Sequence, residues 1–178
     1  GHPNAAMLAE KCRQLHCADR AAVATSGMGA LALATLALLK PGDHVVVSRL
    51  LYGKSRFLLT DEAARWGVTS TLVDPCDLDA VAPAMTPATR LVVVETLANP
   101  LLQVADLAAL ADVAHCGGAR LLVDNTFASP VLVRPLELGA DLVLESLTKV
   151  MNGHSDVVLG LLCGREEAWQ RVPGVLAA

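Results

Sequence analysis

Aromatic and charged residues are scarce in this 178-residue chain, at 3% and 18% of the sequence. Lysine and arginine form no run and the formal net charge is −4, which argues against binding to nucleic acid or to a membrane surface. The apolar stretch Ala30–Leu39 is too short to span a bilayer, which takes about 20 residues. Because no charged-then-apolar leader opens the chain, we expect a globular cytoplasmic protein with a small-molecule substrate.

Cysteine is present but follows no pattern of a disulfide framework or a metal site. The five cysteines are odd in number and form no CxxC pair, so we expect reduced, buried thiols. One local group combines two of them with a histidine, yet it has no matching second pair and no metal is predicted. The residues concerned are Cys12, His16 and Cys17 in that group, and Cys76, Cys116 and Cys163 elsewhere.

Short β-branched runs alternate with longer Ala/Leu-rich stretches, which is typical of an α/β fold with a mostly parallel sheet. The strand candidates are apolar throughout, so both faces of the sheet should be covered by helices. The predicted strands are Ala21–Thr25, His44–Ser48, Thr69–Val73, Leu91–Thr96, Arg120–Asp124, Leu142–Ser146 and Val157–Leu162. The predicted helices are Ala5–Leu15, Met28–Leu39, Lys54–Trp66, Leu78–Ala84, Leu107–His115 and Arg165–Gln170.

Three polar clusters follow the first, fifth and sixth predicted strands. In sheets of this kind, ligands gather at the carboxyl ends of the strands, so the three clusters should meet at one site. The clusters are Ser26-Gly27-Met28, Asp124-Asn125-Thr126 and Ser146-Leu147-Thr148-Lys149.

Each cluster has a chemical and an ordinary interpretation when it is taken alone. The Ser26-Gly27-Met28 turn could hold a phosphate at a helix N-terminus or simply cap that helix. Asp124 could pair with a protonated pyridine nitrogen or cap a turn. Lys149 could form a Schiff base with an aldehyde or be a solvated surface charge. The only tyrosine, Tyr52, could stack on a flat ring or pack in the core. We interpret His154 as a structural turn residue in preference to a catalytic base.

Together, the segments resemble the Cys/Met-metabolism (trans-sulfuration) family of fold-type I pyridoxal-phosphate (PLP) enzymes, which includes cystathionine synthases and lyases, methionine γ-lyase and sulfhydrylases. The resemblance runs nearly end to end, and it implies the three-layer α/β/α PLP-binding major domain with a seven-stranded sheet. It is carried by Ser26-Gly27-Met28, Pro41-Gly42-Asp43-His44-Val45-Val46, Leu51-Tyr52-Gly53, Glu95 through Asn99-Pro100, Val123 through Pro130, Leu138-Gly139-Ala140-Asp141, Ser146-Leu147-Thr148-Lys149 and Asn152-Gly153-His154-Ser155-Asp156.

The resemblance also implies a role for each site residue. Lys149 would hold PLP covalently and act as the proton shuttle, with Tyr52 stacked on the ring as a second catalytic residue. Asp124 would pair with the ring nitrogen. The remaining cofactor contacts would be Ser26, Gly27, Met28, Ser146 and Thr148 at the phosphate, Thr126 beside the ring and Asn99 at the ring oxygen or the substrate carboxylate, with Glu95 in the surrounding polar network. The chain departs from the family pattern at Gly29, Lys54-Ser55, Leu97-Ala98 and Val150.

Residues 1–178 are predicted to be one PLP-binding major domain, to which the resemblance would add an N-terminal arm and a C-terminal small domain. The chain would then be a fragment, or a reduced enzyme embedded in a larger one. The predicted function is a carbon–sulfur lyase that performs β- or γ-elimination on an amino acid derived from cysteine or homocysteine, as a homodimer or homotetramer with interfacial sites. Alternatives are a γ-replacement enzyme and a non-catalytic scaffold module. A nicotinamide-binding domain is disfavoured because GxGxxG is missing.

Overall fold

The computed structural model describes residues 2–177, so the two end residues of the predicted domain lie outside the described part. Its centre is one seven-stranded sheet of order β1-β7-β6-β5-β4-β2-β3. Only β7 runs against the others, because it pairs antiparallel with both β1 and β6. The strands are β1 Arg20–Ala24, β2 His44–Ser48, β3 Thr69–Val73, β4 Thr89–Glu95, β5 Arg120–Asp124, β6 Leu142–Glu145 and β7 Gly160–Gly164.

Helices cover both faces of the sheet, which confirms the predicted three-layer α/β/α fold. The α-helices are α1 Pro3–Leu15, α2 Gly27–Leu38, α3 Gly53–Phe57, α4 Leu78–Ala84, α5 Leu107–Cys116, α6 Ser129–Leu132, α7 Glu166–Trp169 and α8 Val172–Ala177. A π-helical turn at Leu58–Glu62 and 3₁₀ turns at Ala63–Trp66 and Pro135–Leu138 complete the helical segments.

The core is divided by the sheet into two apolar clusters. Val45 and Val47 of β2 pack on the side of α2 and α8, whereas Val46 between them packs on the side of α1, α4 and α5. This alternation follows from the two-residue period of a strand. Each fully buried valine or leucine side chain contributes about 1.5–3 kcal/mol. The central strands are therefore rigid supports for whatever follows their carboxyl ends.

Most predicted elements agree with the structure to within two residues at each end, and two differ by more or in their winding. The predicted strand Val157–Leu162 begins only at Gly160, because the residues before it are drawn toward the preceding loop: the Leu159 N–H donates to Thr148 Oγ1 at 3.1 Å. The predicted helix Lys54–Trp66 is helical throughout, but its winding changes from α to π to 3₁₀. Three short segments, α6, α8 and the 3₁₀ turn at Pro135–Leu138, were not predicted.

The cysteines are all free, as predicted, but only two of them are buried. Cys12 and Cys163 lie in the core, whereas the other three are exposed, so the expectation of buried thiols is wrong for Cys17, Cys76 and Cys116. Within residues 2–177 no group of three His, Cys, Asp or Glu side chains is placed to hold a metal ion. No helix in the same range is long and apolar enough to cross a membrane.

Candidate active site

A cavity of about 340 Å³ opens at the carboxyl ends of β1, β4, β5 and β6, and we call it the strand-end cavity. It is large enough for a small cofactor, since ligand sites typically measure about 300–1,000 Å³. All ten residues of the predicted site line it, namely Ser26, Gly27, Met28, Tyr52, Asn99, Asp124, Thr126, Ser146, Thr148 and Lys149. The sequence prediction did not include Ser55, Leu97, Phe127, Leu144 and Val158, which also line it.

The first wall of the cavity is the N-terminus of α2. Ser26 caps this helix by accepting the Gly29 N–H at 3.0 Å, while the N–H groups of Gly27 and Met28 precede any intrahelical acceptor. A side chain at Gly27 would lie 2.9 Å from Cβ of Ser146, so glycine is required for this close approach. Exposed N–H groups at the positive end of a helix are suited to bind a phosphate.

Asp124 ends β5 and is held in place through Thr126. The Thr126 N–H donates to Asp124 Oδ1 at 3.0 Å, and the Thr126 hydroxyl donates to the same oxygen. The Ser146 N–H donates to that hydroxyl at 2.9 Å, which links β5 to the loop after β6. Burial raises the pKa of Asp124 to about 6, against the lowering effect of the two Thr126 hydrogen bonds. Oδ2 has no hydrogen-bond partner among residues 2–177.

Glu95 ends β4 and is the register neighbour of Asp124. Its Oε1 accepts the Tyr52 N–H at 2.8 Å, whereas Oε2 is buried and has no partner among the described residues. The pKa of Glu95 is raised to about 7, mainly by burial and also by the charge of Asp124. The Tyr52 N–H and a smaller main-chain interaction with Asn99 act in the opposite direction and lower this pKa. Two carboxyl groups thus stand side by side at the strand-end cavity.

Lys149 lies in the turn that follows β6, with an exposed side chain at the rim of the strand-end cavity. Its N–H donates to the Ser146 carbonyl at 3.1 Å, and its own carbonyl accepts the Gly153 N–H at 2.9 Å. The turn is also fixed by Thr148, whose hydroxyl donates to the Leu159 carbonyl at 3.2 Å. That hydroxyl is thereby engaged by main chain, unlike the hydroxyl of Ser146, which has no protein partner in the described range.

Tyr52 and Asn99 come from the loops after β2 and β4 and are exposed, as Lys149 is. The Tyr52 side chain is 58% exposed, so it lines the cavity without being packed in the core. Asn99 is exposed and makes no side-chain hydrogen bond within residues 2–177. His154, by contrast, does not line the cavity. It lies in the next turn, with Nδ1 at 2.7 Å from the Asn152 carbonyl.

A polar chain behind the strand-end cavity was missed by sequence reasoning. Thr96 donates to Asn125 Oδ1 at 2.7 Å, Asn125 Nδ2 donates to Glu145 Oε1 at 3.1 Å, and His16 Nε2 of the turn after α1 lies 3.3 Å from that same oxygen. The last contact is close, but it is not aligned as a hydrogen bond. Each of the four residues is buried. The only sequence signal was that three of them adjoin site residues.

Comparison with known proteins assigns the chain to a family. The family model described as "Cys/Met metabolism PLP-dependent enzyme" matches residues 1–176. The chain belongs to this family. It is 44% identical over 168 residues to an L-methionine gamma-lyase of Porphyromonas gingivalis, with 94% of this chain and 42% of that protein covered. It is 47% identical over 167 residues to a cystathionine gamma-synthase of Mycobacterium bovis, at 94% and 43% coverage.

A solved structure supports the same assignment. The crystal structure of metB from Corynebacterium glutamicum matches with a TM-score of 0.93 and 39% identity, covering 97% of this chain and 45% of that one. The chain therefore spans less than half the length of the relatives it matches. Membership in a PLP-dependent family confirms the predicted cofactor.

The residues at the strand-end cavity fit PLP, which has a phosphate, a ring nitrogen and an aldehyde. Free N–H groups at Gly27 and Met28 and the unpartnered hydroxyl of Ser146 suit the phosphate. The Asp124 carboxylate has an open oxygen and no ion-pair partner within residues 2–177, which is costly for a half-buried charge unless a ligand provides a donor. The Lys149 amine at the rim suits the aldehyde. The three groups therefore match three different parts of one cofactor.

Proposed function

We propose that this chain is the cofactor-binding part of a PLP-dependent carbon–sulfur lyase acting on an amino acid derived from cysteine or homocysteine. The observation that carries the proposal is that Lys149, Asp124 and the N-terminus of α2 line one cavity in a chain of this family. The relatives named methionine gamma-lyase support elimination chemistry.

In the proposed site each residue has one task. Ser26, Gly27, Met28 and Ser146 bind the phosphate, and Tyr52 covers one face of the ring. Thr148, also predicted at the phosphate, has its hydroxyl bonded to the main chain of Leu159 and fixes the turn that carries Lys149. Asp124 holds the ring nitrogen in its protonated form, because a carboxylate next to a cation favours both charges. Thr126 orients Asp124 through the two hydrogen bonds that it donates, and Asn99 is placed for the ring oxygen or the substrate carboxylate.

PLP, when bound, supplies an aldehyde that condenses with amines and a ring that withdraws electrons from the substrate Cα. The chain supplies the proton transfers. Nζ of Lys149, which would hold the cofactor, would take the proton from Cα and return it to a neighbouring carbon or to the departing sulfur. Elimination from Cγ would need the same amine to move a proton at Cβ as well. The hydroxyl of Tyr52, at the open side of the cavity, is the second group able to donate or accept a proton there.

The test of this proposal is covalent trapping of the cofactor. We expect PLP to give an absorption band near the visible edge and, after borohydride reduction, a stable adduct at Lys149. The Lys149→Ala protein should form no adduct, whereas Lys40→Ala, which removes an exposed lysine after α2, should behave as wild type. Equal, untrappable PLP binding by wild type and Lys149→Ala would refute the proposal.

A γ-replacement enzyme is the second candidate, because a relative named cystathionine gamma-synthase is 47% identical. The two reactions differ in their products. An activated homoserine ester mixed with a thiol should give a thioether from a replacement enzyme and a ketoacid from a lyase. Bound PLP that exchanges with no amino acid would instead support a non-catalytic scaffold module.

We also propose a homodimer or homotetramer in which subunits meet near the strand-end cavity, with residues 1–178 as the PLP-binding major domain. Support comes from apolar side chains exposed on α6 and on the loop after β4: Val131 is 84% and Leu101 67% exposed. Each has an exposed apolar neighbour, Leu132 and Leu102 respectively, and contiguous exposed apolar groups mark interaction surfaces. Val131→Glu should lower the mass in sedimentation experiments, whereas Leu72→Glu on the edge strand β3 should not. A cytoplasmic location stays a prediction.

A further inference from the structure

Glu95 is the one carboxyl group at the strand-end cavity without a task in the proposed chemistry. Its side chain is 7% exposed, and burying a carboxyl group is costly unless its oxygens are hydrogen-bonded. One of them is bonded: Oε1 accepts the Tyr52 N–H at 2.8 Å. That N–H belongs to the residue that precedes α3, where no side chain caps the helix.

The bond between Glu95 and Tyr52 joins a rigid element to an open one. Glu95 is the last residue of β4, in the centre of the sheet, whereas the side chain of Tyr52 is 58% exposed. No other side chain within residues 2–177 accepts this N–H. The Tyr52 main chain is held at its carbonyl by the Arg56 N–H at 2.9 Å and at its N–H by the Glu95 carboxyl group. Of these two contacts, the one with Glu95 joins the residue that carries the ring to the sheet.

The electrostatic surroundings of Glu95 favour its neutral form. Asp124 is its register neighbour on β5, and the other titratable groups lining the cavity are Tyr52 and Lys149, both exposed. Burial and the Asp124 charge raise the pKa of Glu95 to about 7. A protonated acid still accepts the Tyr52 N–H at Oε1 while it keeps its proton at Oε2, and it adds no second negative charge beside Asp124.

We infer that Glu95 is a positioning residue that sets the ring of Tyr52 at the strand-end cavity by holding its main-chain N–H, and that it keeps this contact in its protonated form. Where it concerns the cofactor, this inference rests on the proposed function. The holding contact itself belongs to the protein alone and can be measured without PLP.

The first experiment follows hydrogen exchange at the Tyr52 amide in the protein without PLP. We expect protection in wild type and in Glu95→Gln, whose amide oxygen still accepts the N–H. Glu95→Leu has no acceptor and should lose the protection at least tenfold, and Glu95→Asp, one methylene shorter, should lose it too and serves if the leucine variant does not fold. Unchanged protection in these two variants would overturn the inference.

The second experiment is a double-mutant cycle on PLP affinity with Tyr52→Ala. Glu95→Leu should weaken PLP binding about tenfold, in line with the loss of one buried hydrogen bond, and Tyr52→Ala should weaken it little further in that background. Fully additive effects would show that Glu95 does not act through Tyr52. A wild-type protein that forms no trappable adduct with PLP would contradict the proposed function instead. The role of Glu95 would then be tested by hydrogen exchange at the Tyr52 amide alone.

The protonated form of Glu95 predicts a specific dependence of protein stability on pH. A carboxyl group whose pKa is raised by folding keeps its proton in the folded state while the unfolded chain ionises, so stability falls as pH rises from about 4.5 to about 7. Glu95→Gln cannot ionise, and its unfolding midpoint should fall less over that window than the midpoint of wild type. Parallel pH profiles of the two proteins would refute the neutral acid.

Discussion

The buried contact between His16 and Glu145 should be one of the most sensitive points of the fold. Both side chains are 0% exposed, and Glu145 Oε1 lies 3.3 Å from His16 Nε2 and accepts Asn125 Nδ2 at 3.1 Å. Replacing Glu145 by leucine removes that acceptor. Asn125 Nδ2 then keeps only its bond to the Val133 carbonyl at 3.0 Å, and the ring nitrogens of His16, which have no hydrogen-bond partner, lose the neighbouring oxygen.

The cost can be estimated from these contacts. Removing the acceptor of a buried donor costs about 1–3 kcal/mol. Because two buried side chains face the lost oxygen, we expect the upper part of that range, about 2–3 kcal/mol. For a chain of this size, that lowers the thermal unfolding midpoint by about 4–12 °C. Differential scanning calorimetry of the protein without cofactor measures both quantities.

Two further variants make the reasoning refutable. Glu145→Gln keeps an acceptor for Asn125 and should cost less, about 1–2 kcal/mol. The double variant His16→Leu/Glu145→Leu replaces both polar groups by apolar ones, and it should be clearly more stable than the sum of the two single changes predicts. A Glu145→Leu protein that unfolds within about 2 °C of wild type would show that this contact carries little energy, and so would strictly additive single changes.

Three other predictions test the site and the core. Gly160→Ala should destabilise the fold by about 1–3 kcal/mol, because its Cβ would lie 2.0 Å from the Ser26 carbonyl oxygen; Gly174→Ala, with open space around it, should be neutral or stabilising in the same denaturation assay. Thr126→Val should weaken PLP binding about tenfold in a titration, whereas Thr126→Ser should not. With a thiol reagent, three cysteines should react in the native protein, and Cys12 and Cys163 only after unfolding.

Sequence reasoning recovered the sheet because its strands carry their own signal. The predicted bounds of β2, β3 and β5 coincide with the observed ones, since their β-branched or apolar runs are flanked by turn residues. The start of β7 was predicted three residues too early because Val157 and Val158 are β-branched residues typical of strands. The conformation of this segment is set instead by a tertiary contact, the hydrogen bond between Leu159 and Thr148. Local pattern contains no information about such a contact.

The parts of the site that follow from the sheet topology could be predicted from the sequence. The contacts between residues that are distant in the sequence could not. Clusters after parallel strands must meet at one edge of the sheet, and those of Asp124 and Lys149 do. The hydrogen bond that the Tyr52 N–H donates to Glu95 depends on the conformation of the loop after β2. The contact of His16 with Glu145 joins residues far apart in the sequence, and neither residue has a recognisable partner nearby in the chain.

The polar residues that line the strand-end cavity and those of the buried polar chain behind it are separated by strand geometry. Neighbours in a strand point to opposite faces, so Asp124 faces the strand-end cavity while Asn125 faces the buried chain behind it, where it meets Glu145. The Glu145 charge acts through the sheet and helps to raise the pKa of Asp124. Glu145→Gln should therefore lower the pKa of Asp124 although it alters no atom of the cavity wall. The pKa of the carboxyl group proposed to hold the protonated ring nitrogen is thus influenced from the opposite face of the sheet.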